Sequence, residues 1–150
     1  MIRTFALAAP LAAALAATAL PALAETVSLK SANDFATTLD KLRAAIEASP
    51  ASIIHEVDHA AGAAGADMQL APTTLVIFGN PAAGTQLMQA DPTAGLSLPM
   101  KMLVVETGDG VAVVYDDPKG LTEKHDLGEA AAVTEKMSGL VGKLAEAATQ

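Results

Sequence analysis

The chain has no cysteine and no tryptophan, and only one tyrosine and three phenylalanines among its 150 residues. Without cysteine there is no disulfide, no thiol nucleophile and no cysteine zinc site, so packing alone must hold the fold. With so few aromatic rings, little is available to stack on bases or sugars. Basic residues are scarce as well: nine Lys and Arg stand against seventeen Asp and Glu, a formal net charge of −8. Nucleic-acid binding draws on clustered Lys and Arg at phosphates. Binding to anionic membrane surfaces draws on polybasic patches. Neither class suits this composition.

What is present begins with a leader. Arg3 forms a short positive start, Phe5 to Leu20 carries no charge and is dominated by Ala and Leu, and Ala22-Leu23-Ala24 has the small-x-small pattern of a signal peptidase site. The run is short for a bilayer span, which takes about 20 residues. The reading is a signal peptide over 1–24, export to the periplasm, and a mature domain from Glu25 to Gln150 with no membrane attachment after cleavage. Loss of Arg3 takes the net charge from −8 to −9. The mature chain is one domain, long enough to bury a core.

Val27 to Lys30 alternates apolar and polar residues as a first strand. Ser31 reads as a helix N-cap with Asp34 as its capping-box partner, and Phe35, Leu39, Leu42 and Ile46 recur at helical spacing. Ser49-Pro50 ends that helix. Ser52 to His59 reads as a second strand with Ile53, His55, Val57 and His59 on one face and Ile54, Glu56 and Asp58 on the other. Ala60 to Met68 reads as a short helix or a loop. Thr73 to Phe78 is an apolar run between Pro72 and Gly79, the pattern of a central strand. Asn80-Pro81 caps and starts a short helix, which Asp91-Pro92 stops. Met100–Glu106 and Val111–Tyr115 are strands joined by a tight turn at Thr107-Gly108-Asp109-Gly110. Asp117-Pro118 repeats the cap-then-proline device. Asp126 and Glu129 read as a second capping box, opening a terminal helix with the stripe Val133, Met137, Leu140, Val141 and Leu144. The expected fold is a two-layer α+β domain of order β-α-β-β-(short α)-β-β-α, an antiparallel sheet with helices packed on one face.

Five segments stand out together: Val57-Asp58-His59-Ala60, Phe78-Gly79-Asn80-Pro81, Gly84-Thr85-Gln86-Leu87-Met88, Leu98-Pro99-Met100-Lys101-Met102-Leu103-Val104, and Tyr115-Asp116-Asp117-Pro118. They resemble the bacterial domain of unknown function 302 family. The resemblance implies a curved sheet like that of the TATA-binding protein, with helices on one side. It implies no firm activity, and fold does not bring DNA binding with it. The sequence departs from the family at Ser97, where an acid often precedes Leu-Pro, and at Val105, where an aromatic is common.

The candidate ligand-binding residues are His59, Gly79, Asn80, Gly84, Thr85 and Tyr115. The Asn80-capped helix start offers backbone N–H groups and a positive dipole end to an anion, or serves only as a turn and cap. It has neither the Walker ending nor a Rossmann fingerprint. His59 reads as a hydrogen-bonded structural residue or as an acid–base group working with that anion site. Metal handling is the third reading, through His55, His59, His125 or Met88, Met100 and Met102. On a strand His55 and His59 stand about 13–14 Å apart, too far to share an ion, whereas on a helix they are neighbours. The methionines form no Met-x-x-Met cluster and read as core filler. His125 reads as an exposed residue near a cap, Tyr115 as half-buried, and no Ser-His-Asp arrangement is supported. The favoured expectation is a non-catalytic periplasmic domain without cofactor that binds a small, anionic or other, ligand or a protein partner. Thr73–Phe78 and Met100–Val105 are apolar on both faces, which makes a homodimer a further expectation.

Overall fold

The computed structural model describes residues 26–150; the leader and its cleavage point after Ala24 lie outside them. Five strands, β1 (Thr26–Lys30), β2 (Ser52–Asp58), β3 (Thr73–Gly79), β4 (Met100–Thr107) and β5 (Gly110–Asp116), form one sheet. Its order is β1-β5-β4-β3-β2, and every neighbouring pair is antiparallel. Five helices accompany them: α1 (Phe35–Glu47), α2 (His59–Ala64), α3 (Pro81–Ala90), α4 (Leu121–Lys124) and α5 (Ala131–Thr149). The expected α+β architecture and element order are therefore observed. α2 takes the place where the Ala- and Gly-rich stretch left helix or loop open.

Strand alternation sorts the sheet into two faces. On β3, Thr74, Val76 and Phe78 are buried beneath the helices while Leu75 and Ile77 on the other face are half-buried. α1 lays Leu39, Leu42 and Ile46 onto the inner face, and α5 lays Val141, Leu144, Ala145 and Ala148 beside them. Together with Val104, Val113 and Tyr115 these make one apolar core, the dominant stabilising element of a chain without disulfides. The β4–β5 hairpin turns through Gly108 and Asp109, with Gly110 at φ +110° opposite Thr107. That backbone angle is readily available only to glycine.

Three local expectations are corrected. The N-cap of α1 is Asp34, whose Oδ1 accepts from the Thr37 N–H at 2.8 Å. Ser31 lies outside the helix, and its hydroxyl bonds that of Thr38 at 2.7 Å. α5 has no Asp126–Glu129 capping box: it follows a 3₁₀ turn at Gly128–Ala130, and no side chain caps either. The Asp126 N–H instead goes to Asp91 Oδ2 at 3.1 Å, which draws that residue away from the helix end.

The third correction is a register shift in β2. A bulge falls between Ile53 and His55, so Ile53 stands opposite Phe78, His55 opposite Ile77 and Glu56 opposite Val76. The extra residue exchanges the faces on either side of it. Ile53 and Glu56 therefore share the helix side. There Arg43 of α1 binds Glu56 through Nε at 2.9 Å and Nη2 at 2.6 Å. These hydrogen bonds hold the Glu56 carboxyl below its ordinary pKa. The strand ends at Asp58, whose side chain caps α2 by accepting from the Ala61 N–H.

Candidate functional site

β3 leaves the sheet at Gly79 and β4 enters it beside that point, with Leu98 and Pro99 just before it. Between this end of the sheet, α3 and the middle of α5 lies a cleft of about 870 Å³. Its walls are predominantly apolar: Ile54, Phe78, Met88, Leu98, Met100, Met137 and Leu140. Ile54 is 61% exposed, because the β2 bulge turns it out of the sheet's alternation toward this opening. The amphipathic stripe of α5 thus serves both: Val141 and Leu144 belong to the sheet core, Val133, Met137 and Leu140 line the cleft, and Val141 and Leu140 touch both. Lys136 is the single charged residue in the lining, and it makes no ion pair among the described residues.

Four of the six residues picked from sequence, Gly79, Asn80, Gly84 and Thr85, line this cleft. A Cβ on Gly79 would stand 3.4 Å from Pro99 Cβ and 3.7 Å from Ile54 Cδ1, so the strand end is glycine where two walls close in. Asn80 ties the turn together. Its Oδ1 accepts from the Ala82 and Ala83 N–H groups at 2.9 and 3.2 Å, and its Nδ2 donates to the Pro50 carbonyl at 2.8 Å. The helix-start donors that could meet an anion are thus engaged by the Asn80 side chain itself. Asn80→Ala is expected to lower stability by about 1–2 kcal/mol, from the lost cap and the lost bond to Pro50. Asn80→Asp, which keeps the cap acceptor but not the donor, should lie between the two in chemical denaturation.

The other two picked residues are elsewhere. His59 is the first residue of α2 and exposed, and it lines neither this cleft nor the smaller cavity described below. Tyr115 is buried in the sheet core under α5, with its hydroxyl near Gly142. Burial, with the negative charges of Asp117 and Glu146 behind it, raises the pKa of that phenol. The three histidines occupy three separate places: His55 on the outer sheet face, His59 on α2 and His125 after α4. No group of three His, Cys, Asp or Glu side chains with metal-site geometry occurs among the described residues. Met102 is fully buried in the core, while Met88 and Met100 line the apolar cleft.

His125 departs most from its sequence reading. Its side chain is 7% exposed, not open at a cap. Ser97 Oγ lies 2.9 Å from its Nε2, Thr93 Oγ1 lies 3.1 Å from its Nδ1, and Asp91 Oδ2 stands 3.7 Å from Nδ1. Ser97, beside this imidazole, lines a second cavity of about 250 Å³ together with Leu96, Lys101, Asp116, Asp117 and Lys124. No local pattern announces this grouping, since His125 lies 28 to 34 positions after Asp91, Thr93 and Ser97 on a separate turn and only the fold joins them.

A family model described as a domain of unknown function, DUF302, matches residues 27–144, nearly all of the described chain. The chain belongs to the DUF302 family. The DUF302 fold is also that of the crystal structure of an uncharacterized conserved DUF302 protein from Bacillus stearothermophilus. The two superpose with a TM-score of 0.75 over 82% of this chain and 97% of that one, at 10% sequence identity, so the likeness is one of fold. Curated relatives include the fluoride-specific ion channel FluC 1 of Brucella suis, 41% identical over 103 residues and 68% of this chain. The corresponding proteins of Brucella abortus (FluC 1) and Brucella melitensis (FluC 2) match at the same identity. This DUF302 chain spans about two fifths of the length of those relatives, and no helix among its described residues is long and apolar enough to cross a membrane.

Proposed function

We propose that this DUF302 domain is a periplasmic binding module that takes a small, mainly apolar molecule into the cleft between α3, α5 and the Gly79-Asn80-Pro81 turn, without transforming it there. The observation that carries the reading is the cleft itself: about 870 Å³, within the range of roughly 300–1,000 Å³ typical of small-molecule sites, with apolar walls and few polar groups. Exposed Ile54 and Met88 at its edge are surface that an apolar guest would remove from water. Lys136, alone among apolar neighbours, suits a guest with one anionic end.

Native mass spectrometry of the protein purified from the periplasm of its own host tests this. A small-molecule excess over the Glu25–Gln150 mass, or saturable one-to-one binding of 1-anilinonaphthalene-8-sulfonate, is the expected result. A clean mass together with no saturable binding of that probe rejects the reading. Lys136→Ala should weaken the sulfonate probe several-fold, the size of one partly exposed charge contact.

The outer sheet face supports a second element of the proposal, a homodimer. Leu75, Ile77, Leu103, Val105 and Val114 form a half-buried apolar field there, and the helices of the described residues pack on the opposite face. A second copy placed face to face would cover it. Sedimentation at micromolar concentration should show the dimer, and Val105→Lys should shift the chain to monomer; a monomer at every concentration removes this element.

A further inference from the structure

We propose that Ser97 and His125 form a nucleophile and base, positioned by Thr93 and Asp91, that hydrolyses small carboxylic esters in the cavity beside β4. This activity is distinct from the binding proposed for the apolar cleft.

The hydrogen-bond chain sets the proton positions. The Thr93 hydroxyl donates to Asp91 Oδ1 at 2.7 Å, and the Thr93 N–H does so at 2.9 Å. With its proton spent on the carboxylate, Thr93 Oγ1 can only accept from His125 Nδ1, 3.1 Å away. The neutral imidazole is therefore protonated at Nδ1 and carries its lone pair on Nε2. The Ser97 hydroxyl, 2.9 Å from that nitrogen, must be the donor. This is the arrangement of an activated serine: nucleophile to base, base to an orienting acceptor, with a carboxylate behind. Asp91 stands 3.7 Å from Nδ1, near enough to stabilise an imidazolium and too long for a direct bond, so Thr93 relays its orienting effect. Asp91 is itself fixed by the Asp126 N–H at 3.1 Å. Hydrogen bonds from Thr93 hold its carboxyl below the ordinary value, which keeps it negative while the imidazole is protonated.

Ser97 opens on a cavity that suits an ester. Lys101 and Lys124 are the cations of its lining, beside the carboxylates of Asp116 and Asp117; Lys101 Nζ spends one proton on the Pro99 carbonyl at 3.1 Å, and the remaining ammonium protons would meet the negative charge that develops on a carbonyl oxygen. Leu96, 88% exposed, gives the lip an apolar surface for an acyl chain. The volume of about 250 Å³ limits acyl and alcohol parts to a few carbons each. In the first half-reaction Ser97 Oγ bonds to the acyl carbon while its proton passes to His125 Nε2. The carbon–oxygen bond of the ester breaks, and the departing alcohol takes that proton. Water, deprotonated by the same Nε2, then attacks the acyl-serine. The carboxylic acid leaves and Ser97 regains its proton. Ester and water become acid and alcohol, with no change in oxidation state.

The test uses the exported chain and an alkyl fluorophosphonate, followed by intact mass and peptide mapping. One adduct on Ser97 is expected in the folded protein and not in protein unfolded in urea. Ser97→Ala should take none at that peptide. His125→Gln should label about 10²-fold more slowly, the usual scale of a lost general base. Hydrolysis of p-nitrophenyl acetate should fall in both variants alongside. No adduct on Ser97 in the folded protein, or equal labelling in urea, overturns the proposal. Should His125→Gln fail to fold, the comparison of folded with unfolded wild type still decides it.

Discussion

Phe78→Ala is expected to lower the free energy of unfolding by about 3–5 kcal/mol, the range for truncating a large buried aromatic. Phe78 is 1% exposed. It packs into the sheet core and also forms part of the cleft wall. The cost has two parts. The ring's transfer from water is lost, and the space it leaves cannot fully collapse. Collapse from the core side is opposed by Val76, Met102 and Val104, all completely buried and held by strand pairing. The cleft side has no atoms to move in. The loss should therefore lie toward the upper end, and urea denaturation with an unchanged m-value would measure it. A loss below about 0.5 kcal/mol, the scale of an exposed substitution, would mean that Phe78 is not the joint between core and cleft. The same variant should enlarge the cleft and bind larger apolar probes in preference to smaller ones.

Phe78 also shows what a sequence can and cannot disclose. Its strand is an apolar run bracketed by Pro72 and Gly79, and the next two residues, Asn80 and Pro81, spell a helix start; both signals are local and both are observed. The gathering of Gly79, Asn80, Gly84 and Thr85 at one cleft follows from the same locality, since one strand end and one helical turn carry all four. The cleft as a whole is not local. Its far wall comes from Met137 and Leu140, some sixty positions later, and a helical stripe does not say which of its residues face a sheet and which an opening. Strict alternation groups Ile54 with Glu56 and Asp58 and has no room for a bulge, and the bulge is what turns its side chain outward. Tyr115 opens one of the five shared segments, yet alternation along β5 seats it with Val111 and Val113 in the core. The sequence neighbours of His125 point only to an exposed residue. Its partners Thr93 and Ser97 come from the turn after α3, and only the packed structure brings that turn across.

Gly84→Leu should abolish ligand binding in the cleft while leaving the fold at least as stable. Gly84 lies within α3 and lines the cleft. A Cβ there would meet Leu98 Cδ1 at 3.7 Å, an ordinary contact, so the first carbon is accommodated without strain. A leucine side chain extends further into the opening and occupies the space a ligand would use. Replacing glycine inside a helix also contributes up to about 0.8 kcal/mol through the lower conformational entropy of the unfolded chain, and the added apolar contact adds to this. With 1-anilinonaphthalene-8-sulfonate at about a hundred times its dissociation constant, wild type should gain about 2.7 kcal/mol. For a domain of this size that raises the melting temperature on the order of 10 °C. Gly84→Ala should keep most of that rise, because a methyl group stops at the wall. Gly84→Leu should show a melting temperature equal to or above wild type without the probe, and almost no further rise with it. A full probe-dependent rise in Gly84→Leu would place the bound molecule outside this cleft, and would leave the apolar walls of Met88, Met137 and Leu140 to be explained by a protein partner instead.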